Sequence, residues 1–92
     1  MKKFMIERNF PGASELPPGE LSALSRNFFD ALAKVAKPHS WIESFVTKDK
    51  IYCIHVAENE EQVREHARIA CIPISAISEV TAVIDPLTGY PE

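Results

Sequence analysis

Two stretches of the chain carry apolar residues on a single helical stripe, and that one-sidedness limits the fold more than any other feature. From Pro18 to Ala36 the apolar positions recur at Leu21, Leu24, Phe28, Leu32 and Val35; from Glu60 to Cys71 they recur at Val63, Ala67 and Ala70. Both are spacings of one face of an α-helix. Pro18 stands where a helix has no use for an N–H, and Pro38 ends the first pattern at about Lys37. Asn59, with Gln62 three residues on, reads as an N-cap with its capping box, and Pro73 closes the second helix. A helix with one apolar stripe has one surface to bury, so both must lie on one side of something flat.

Four other segments have strand composition. They are Lys3–Arg8, His39–Thr47, Lys50–Ala57 and Ser75–Ile84, rich in β-branched and aromatic residues. Pro11, Gly12, Pro17 and Pro18 break the chain after the first, the region around Lys48 and Asp49 turns between the second and third, and Asp85-Pro86 stops the last. The order βαββαβ predicts an α+β, ferredoxin-like domain. Its four-stranded antiparallel sheet runs 4-1-3-2, with both helices on one face. The predicted domain is 1–86, with a C-terminal tail over 87–92. Ninety-two residues suffice for one such core.

Alternation along the strands divides their side chains between two faces. Phe4, Ile6, Ile42, Val46, Ile54, Val56, Val80, Ala82 and Ile84 are the expected helix-covered set. Met5, Glu7, Trp41, Glu43, Phe45, Ile51, Cys53, His55, Glu79, Thr81 and Val83 then share the bare face. For Glu43 and His55 to lie together, the hairpin loop must hold an odd number of residues, such as Lys48-Asp49-Lys50. A face carrying Met5, Trp41, Phe45, Ile51 and Val83 is too apolar to stay wet, so a homodimer with sheets packed face to face, a dimeric α+β barrel, is expected.

The bare face would also gather the chemistry. His55 with Glu7 or Glu79 could ligate a divalent metal or act as an acid–base pair, and Glu43 and Cys53 join the candidate ligands. The bland alternative pairs each carboxylate with Arg8, a lysine or a backbone donor. His66 is expected to flank the core edge, and His39 to be exposed at a strand start. The two cysteines form no CxxC pair and are expected to be reduced. A net charge of −3 with scattered basic residues excludes a sequence-independent nucleic-acid surface. No stretch could span a bilayer, and the N-terminal residues lack the apolar core of a signal peptide, so a cytoplasmic location is expected.

Several segments together resemble a known family. Phe4–Ala13 is similar to its opening strand and loop, Ser44–Ala57 to its hairpin, and Arg64-Glu65-His66-Ala67 to its helix signature. Ile72-Pro73, Glu79-Val80 and Ile84-Asp85-Pro86 resemble its closing segment. The family is a small bacterial group whose characterised type binds nickel. The resemblance implies a ferredoxin-like fold, a dimer, nickel or another divalent transition metal as ligand, and a role in metal sequestration; it carries over no ligand set residue by residue. Cys71 departs from it, standing where the family more often has glycine. A cysteine resists the left-handed C-cap conformation, so a different helix end is expected here. The alternative function is a small-molecule enzyme of the dimeric α+β-barrel kind, monooxygenase-like or isomerase-like, using His55 and a nearby Glu. A cavity behind Trp41 and His55 would favour it. A third possibility is an interaction module without a ligand.

Overall fold

The computed structural model describes residues 1–90. Its elements are β1 (Lys2–Asn9), α1 (Pro18–Leu32), β2 (His39–Val46), β3 (Lys50–Ala57), α2 (Glu60–Ala70) and β4 (Ala76–Val80), with short 3₁₀ turns at Ala13–Glu15 and Pro86–Gly89. The strands form one antiparallel sheet in the order β2-β3-β1-β4, the predicted order read from its other edge. The second 3₁₀ turn occupies the start of the predicted tail, and the tail's last two residues lie outside the described chain.

Capping follows the residues. Pro18 begins α1, and Asn59 Oδ1 accepts from the Gln62 N–H at 3.0 Å to begin α2. The Gln62 side chain returns to the N–H of Glu58, at 2.6 Å, one residue earlier than a capping box requires. Helix α1 stops at Leu32, short of the predicted end. Lys34 and Val35 instead donate to Ala31 and Leu32, three residues back, in a tightening turn.

β4 also ends early, at Val80, and the reason is its partner. Val80 pairs with Lys3, and β1 has one residue left before it begins. Ala82 and Ile84 therefore do not reach the core; both are exposed.

The faces need a larger correction. Phe4 and Ile6 are buried under the helices as expected, but in β3 it is Ile51, Cys53, His55 and Ala57 that join them, not Ile54 and Val56. The hairpin pairs Val46 with Ile51 and Glu43 with Ile54, so an even number of residues lies between paired positions. A one-residue difference in register exchanges the two faces of a strand. A bulge between Trp41 and Glu43 then shifts the pairing so that Trp41 faces His55. Trp41 accordingly packs edge-on against Phe28 of α1, ring centroids 5.3 Å apart, and Ile42 is left exposed. The bare face holds Met5 and Glu7 from β1, Glu43 and Phe45 from β2, and Tyr52, Ile54 and Val56 from β3.

Cys71 ends α2 in the left-handed region, φ 57° and ψ 45°, contrary to the expectation that cysteine would change this helix end. Its own N–H and that of Ile72 reach the carbonyl of Ala67, and these bonds hold the conformation. A left-handed conformation costs an L-residue roughly 1–2 kcal/mol, part of which glycine offsets by its greater freedom when unfolded. Cys71→Gly should therefore stabilise the fold by about 0.5–1 kcal/mol. Urea denaturation checks this, and an unchanged or lowered midpoint would contradict it.

Candidate metal centre

The face correction brings three histidines together. His55 lies mid-strand in β3, between Phe4 of β1 and Trp41 of β2, and points under the helices with no exposed surface. His39 begins β2 two residues before Trp41 and shares that face, partly open to solvent. His66 completes the inner stripe of α2 with Val63, Ala67 and Ala70, and is fully buried. The ring centroids are 4.9 Å apart for His39 and His55, 5.0 Å for His55 and His66, and 5.2 Å for His39 and His66.

Two hydrogen bonds organise the rings. His39 Nε2 and His55 Nδ1 are 2.6 Å apart, so one carries the proton that the other accepts. His66 Nε2 donates to the Phe28 carbonyl at 2.8 Å, which leaves its Nδ1 as the lone-pair nitrogen of a neutral ring. His39 Nδ1, His55 Nε2 and His66 Nδ1 are buried without a partner in the protein.

All three rings are held neutral. Burial pushes His55 down to about 3, helped by His66, His39 and the Arg8 guanidinium. Burial, then His66, lowers His39 to about 4. For His66 burial again dominates; the Phe28 carbonyl opposes it and Arg8 adds to it, and the net direction is down. Arg8 is itself buried, following Phe4 and Ile6 on the alternating face. Its Nη1 donates to the Pro73 carbonyl at 2.9 Å, its guanidinium lies 5.5 Å from the Phe28 ring centre, and its Nε and Nη2 have no partner.

The other expected ligands fall elsewhere. Cys53 shares the face of His55 two residues away, and its sulfur accepts from the Ser44 hydroxyl, which in turn accepts from Trp41 Nε1. Glu7 and Glu43 lie on the opposite face of the sheet, Glu7 paired with Lys50 at 3.3 Å. Glu79, on the edge strand, pairs with Lys2 at 3.7 Å. A cavity of about 470 Å³ lies beside Trp41, but Leu21, Ser22, Ser25, Arg26 and Phe29 line it with Trp41, and His55 does not. Among the described residues, no three His, Cys, Asp or Glu side chains hold their donors ready around one ion as they stand.

The sequence matches, over residues 4–80, the family described as nickel responsive protein SCO4226-like. The chain belongs to that family. The crystal structure of SCO4226 from Streptomyces coelicolor A3(2) superposes with a TM-score of 0.75 at 15% identity, covering 89% of this chain and 99% of that one. At that identity the likeness shows a common fold. No curated protein matches the sequence. No helix among the described residues is long and apolar enough to cross a membrane.

Neither His39 nor His66 stands in the leading ligand set expected from the sequence, although the pattern that places them on this face is present. His66 occupies the i+3 position of the stripe Val63, Ala67, Ala70, and His39 stands two residues from Trp41. What hid them was the phase of β3.

The neutral rings make stability depend on pH. Each histidine has a folded pKa below its ordinary 6.5, so the unfolded chain takes up protons first as pH falls. Stability is complete above about pH 7 and falls from about 6.5 toward the folded values. Between pH 6.5 and 5, above the carboxylate range, the urea midpoint should rise with pH, and His55→Leu should flatten that slope. A midpoint constant across this interval would show that the rings are not buried neutral.

Proposed function

We propose that this protein is a cytoplasmic metal-binding protein whose ligand is a divalent late transition metal, nickel foremost, held through imidazole nitrogen. The observation that carries it is the meeting of three neutral histidines under the helices. Three imidazoles bound to one ion through nitrogen bonds of about 2.0–2.1 Å have ring centres about 4.5 Å apart at right angles and about 5.2 Å apart at the tetrahedral angle. The separations here, 4.9 to 5.2 Å, lie in that interval. The family's name, nickel responsive, supports the choice of metal. Imidazole suits nickel, copper and zinc alike, so preference among them in a cell would follow supply and geometry. The role we assign to it is metal sequestration.

Calorimetry with nickel tests the reading on wild type and on His55→Leu. Wild type should bind one ion per chain well below millimolar, and His55→Leu should lose at least about tenfold in affinity, or 1.4 kcal/mol. Wild type binding no nickel, cobalt or zinc below millimolar would end the proposal.

The bare face supports assembly as a homodimer. Met5, Phe45, Tyr52, Ile54 and Val56 form an apolar surface that a second copy would cover, whereas Trp41, expected at that interface, is packed on Phe28. Light scattering should give about twice the 10.3 kDa of one chain, and Phe45→Glu should return it to one. A wild-type monomer at high concentration would exclude the dimer.

A further inference from the structure

We infer that the metal takes the place of the hydrogen bond between His39 Nε2 and His55 Nδ1, with His66 Nδ1 as third ligand and His39 as the ligand that moves. The inference rests on the metal-binding reading and assigns its atoms.

The hydrogen bond decides which nitrogens are available. In the neutral pair one ring proton lies between the two rings, and one lies on an outer nitrogen. A metal on the outer nitrogens, His39 Nδ1 and His55 Nε2, would require a proton on both inner ones. Those two N–H groups would then face each other across 2.6 Å. A metal on the inner nitrogens requires only that the shared proton move to the outer nitrogen of the ring that holds it, with no net release. His66 has one choice, because its Nε2–H is committed to the Phe28 carbonyl. A backbone carbonyl holding one ring nitrogen and so fixing the other as ligand is the usual support of a metal-bound histidine.

Geometry decides which ring gives way. Two nitrogens on one ion stand about 2.9–3.4 Å apart, so the inner pair must part by several tenths of an ångström. His55 is fully buried on a strand paired from both sides, and His66 is fully buried and tethered. His39 is partly exposed and begins an edge strand directly after Pro38. Its shift is felt at Pro38, whose carbonyl accepts from Gln62 Nε2, and so at the N-terminal cap of α2. Arg8 works against the ion. Its guanidinium is buried in the same core as His55 and His66, and a metal between them meets its positive field.

The test uses zinc, which is diamagnetic, with nitrogen-detected imidazole spectra of the full chain, and nickel calorimetry on variants. Zinc should shift His39 Nε2, His55 Nδ1 and His66 Nδ1, abolish the N–H···N signal of the His39–His55 pair, and leave the His66 Nε2–H in place. His39→Ala, at a partly exposed site where folding is retained, should weaken nickel at least tenfold, and Arg8→Met should tighten it. Zinc bound with the His39–His55 hydrogen bond intact would overturn the assignment, as would nickel affinity unmoved by both variants; in either case metal binding itself survives at another place. No zinc or nickel bound at all would overturn the metal reading and this assignment together.

Discussion

The register of the β2–β3 hairpin is the constraint on which the rest of the molecule depends. Thr47 donates to the Lys50 carbonyl to close the turn. The loop after β1 braces it, with Phe10 and Ser14 donating to the carbonyls of Asp49 and Lys48, and Gly12 to the Asp49 carboxylate. Gly12 can serve there because its φ of 76° is open to glycine. With the turn held in this way Val46 meets Ile51, and every side chain of β3 takes its face from that pairing. Cys53 and His55 go under the helices, and Tyr52 and Ile54 go to the bare side.

The consequence is an unusual core. The space between sheet and helices holds Phe28, Ile6, Ile51 and Val63, but also Arg8, His55 and His66, with His39 at its rim. Buried polar groups ordinarily find partners, and here several ring and guanidinium nitrogens do not. The imidazoles answer by staying neutral, which removes the larger penalty of burying charge. Arg8 cannot answer in that way. It retains its charge, softened by the Pro73 carbonyl and the Phe28 ring face. All five ion pairs among the described residues lie elsewhere, on exposed or half-exposed side chains, so none of them neutralises this interior. A core built like this costs stability relative to an apolar one, because buried nitrogens without partners lose their hydration uncompensated.

Much of the architecture was legible in advance. The two apolar stripes, Pro18, Pro38, Asn59 and Pro73 marked the helices, and one-sided helices with four strands left one arrangement of layers. The phase of β1 was legible too, because Phe4 and Ile6 are flanked by polar or flexible neighbours. In β3 the run Ile51-Tyr52-Cys53-Ile54-His55-Val56-Ala57 is apolar on both faces, so alternation could not choose between them. Choosing Ile54 and Val56 as core placed His55 with Glu7 and Glu43, and the candidate site inherited that error.

The amino-acid sequence by itself determined the element order, the layering and most of the helix ends, because stripes and caps act over a few residues and need no distant partner. The tertiary structure alone decided which face His55 occupies, that Trp41 turns inward past a bulge, and that His39, His55 and His66 meet. Those outcomes depend on a hairpin register braced by the loop after β1, and on helices laid across one side of the sheet. Contacts between residues far apart in the chain settle such choices, and a local pattern carries no record of them.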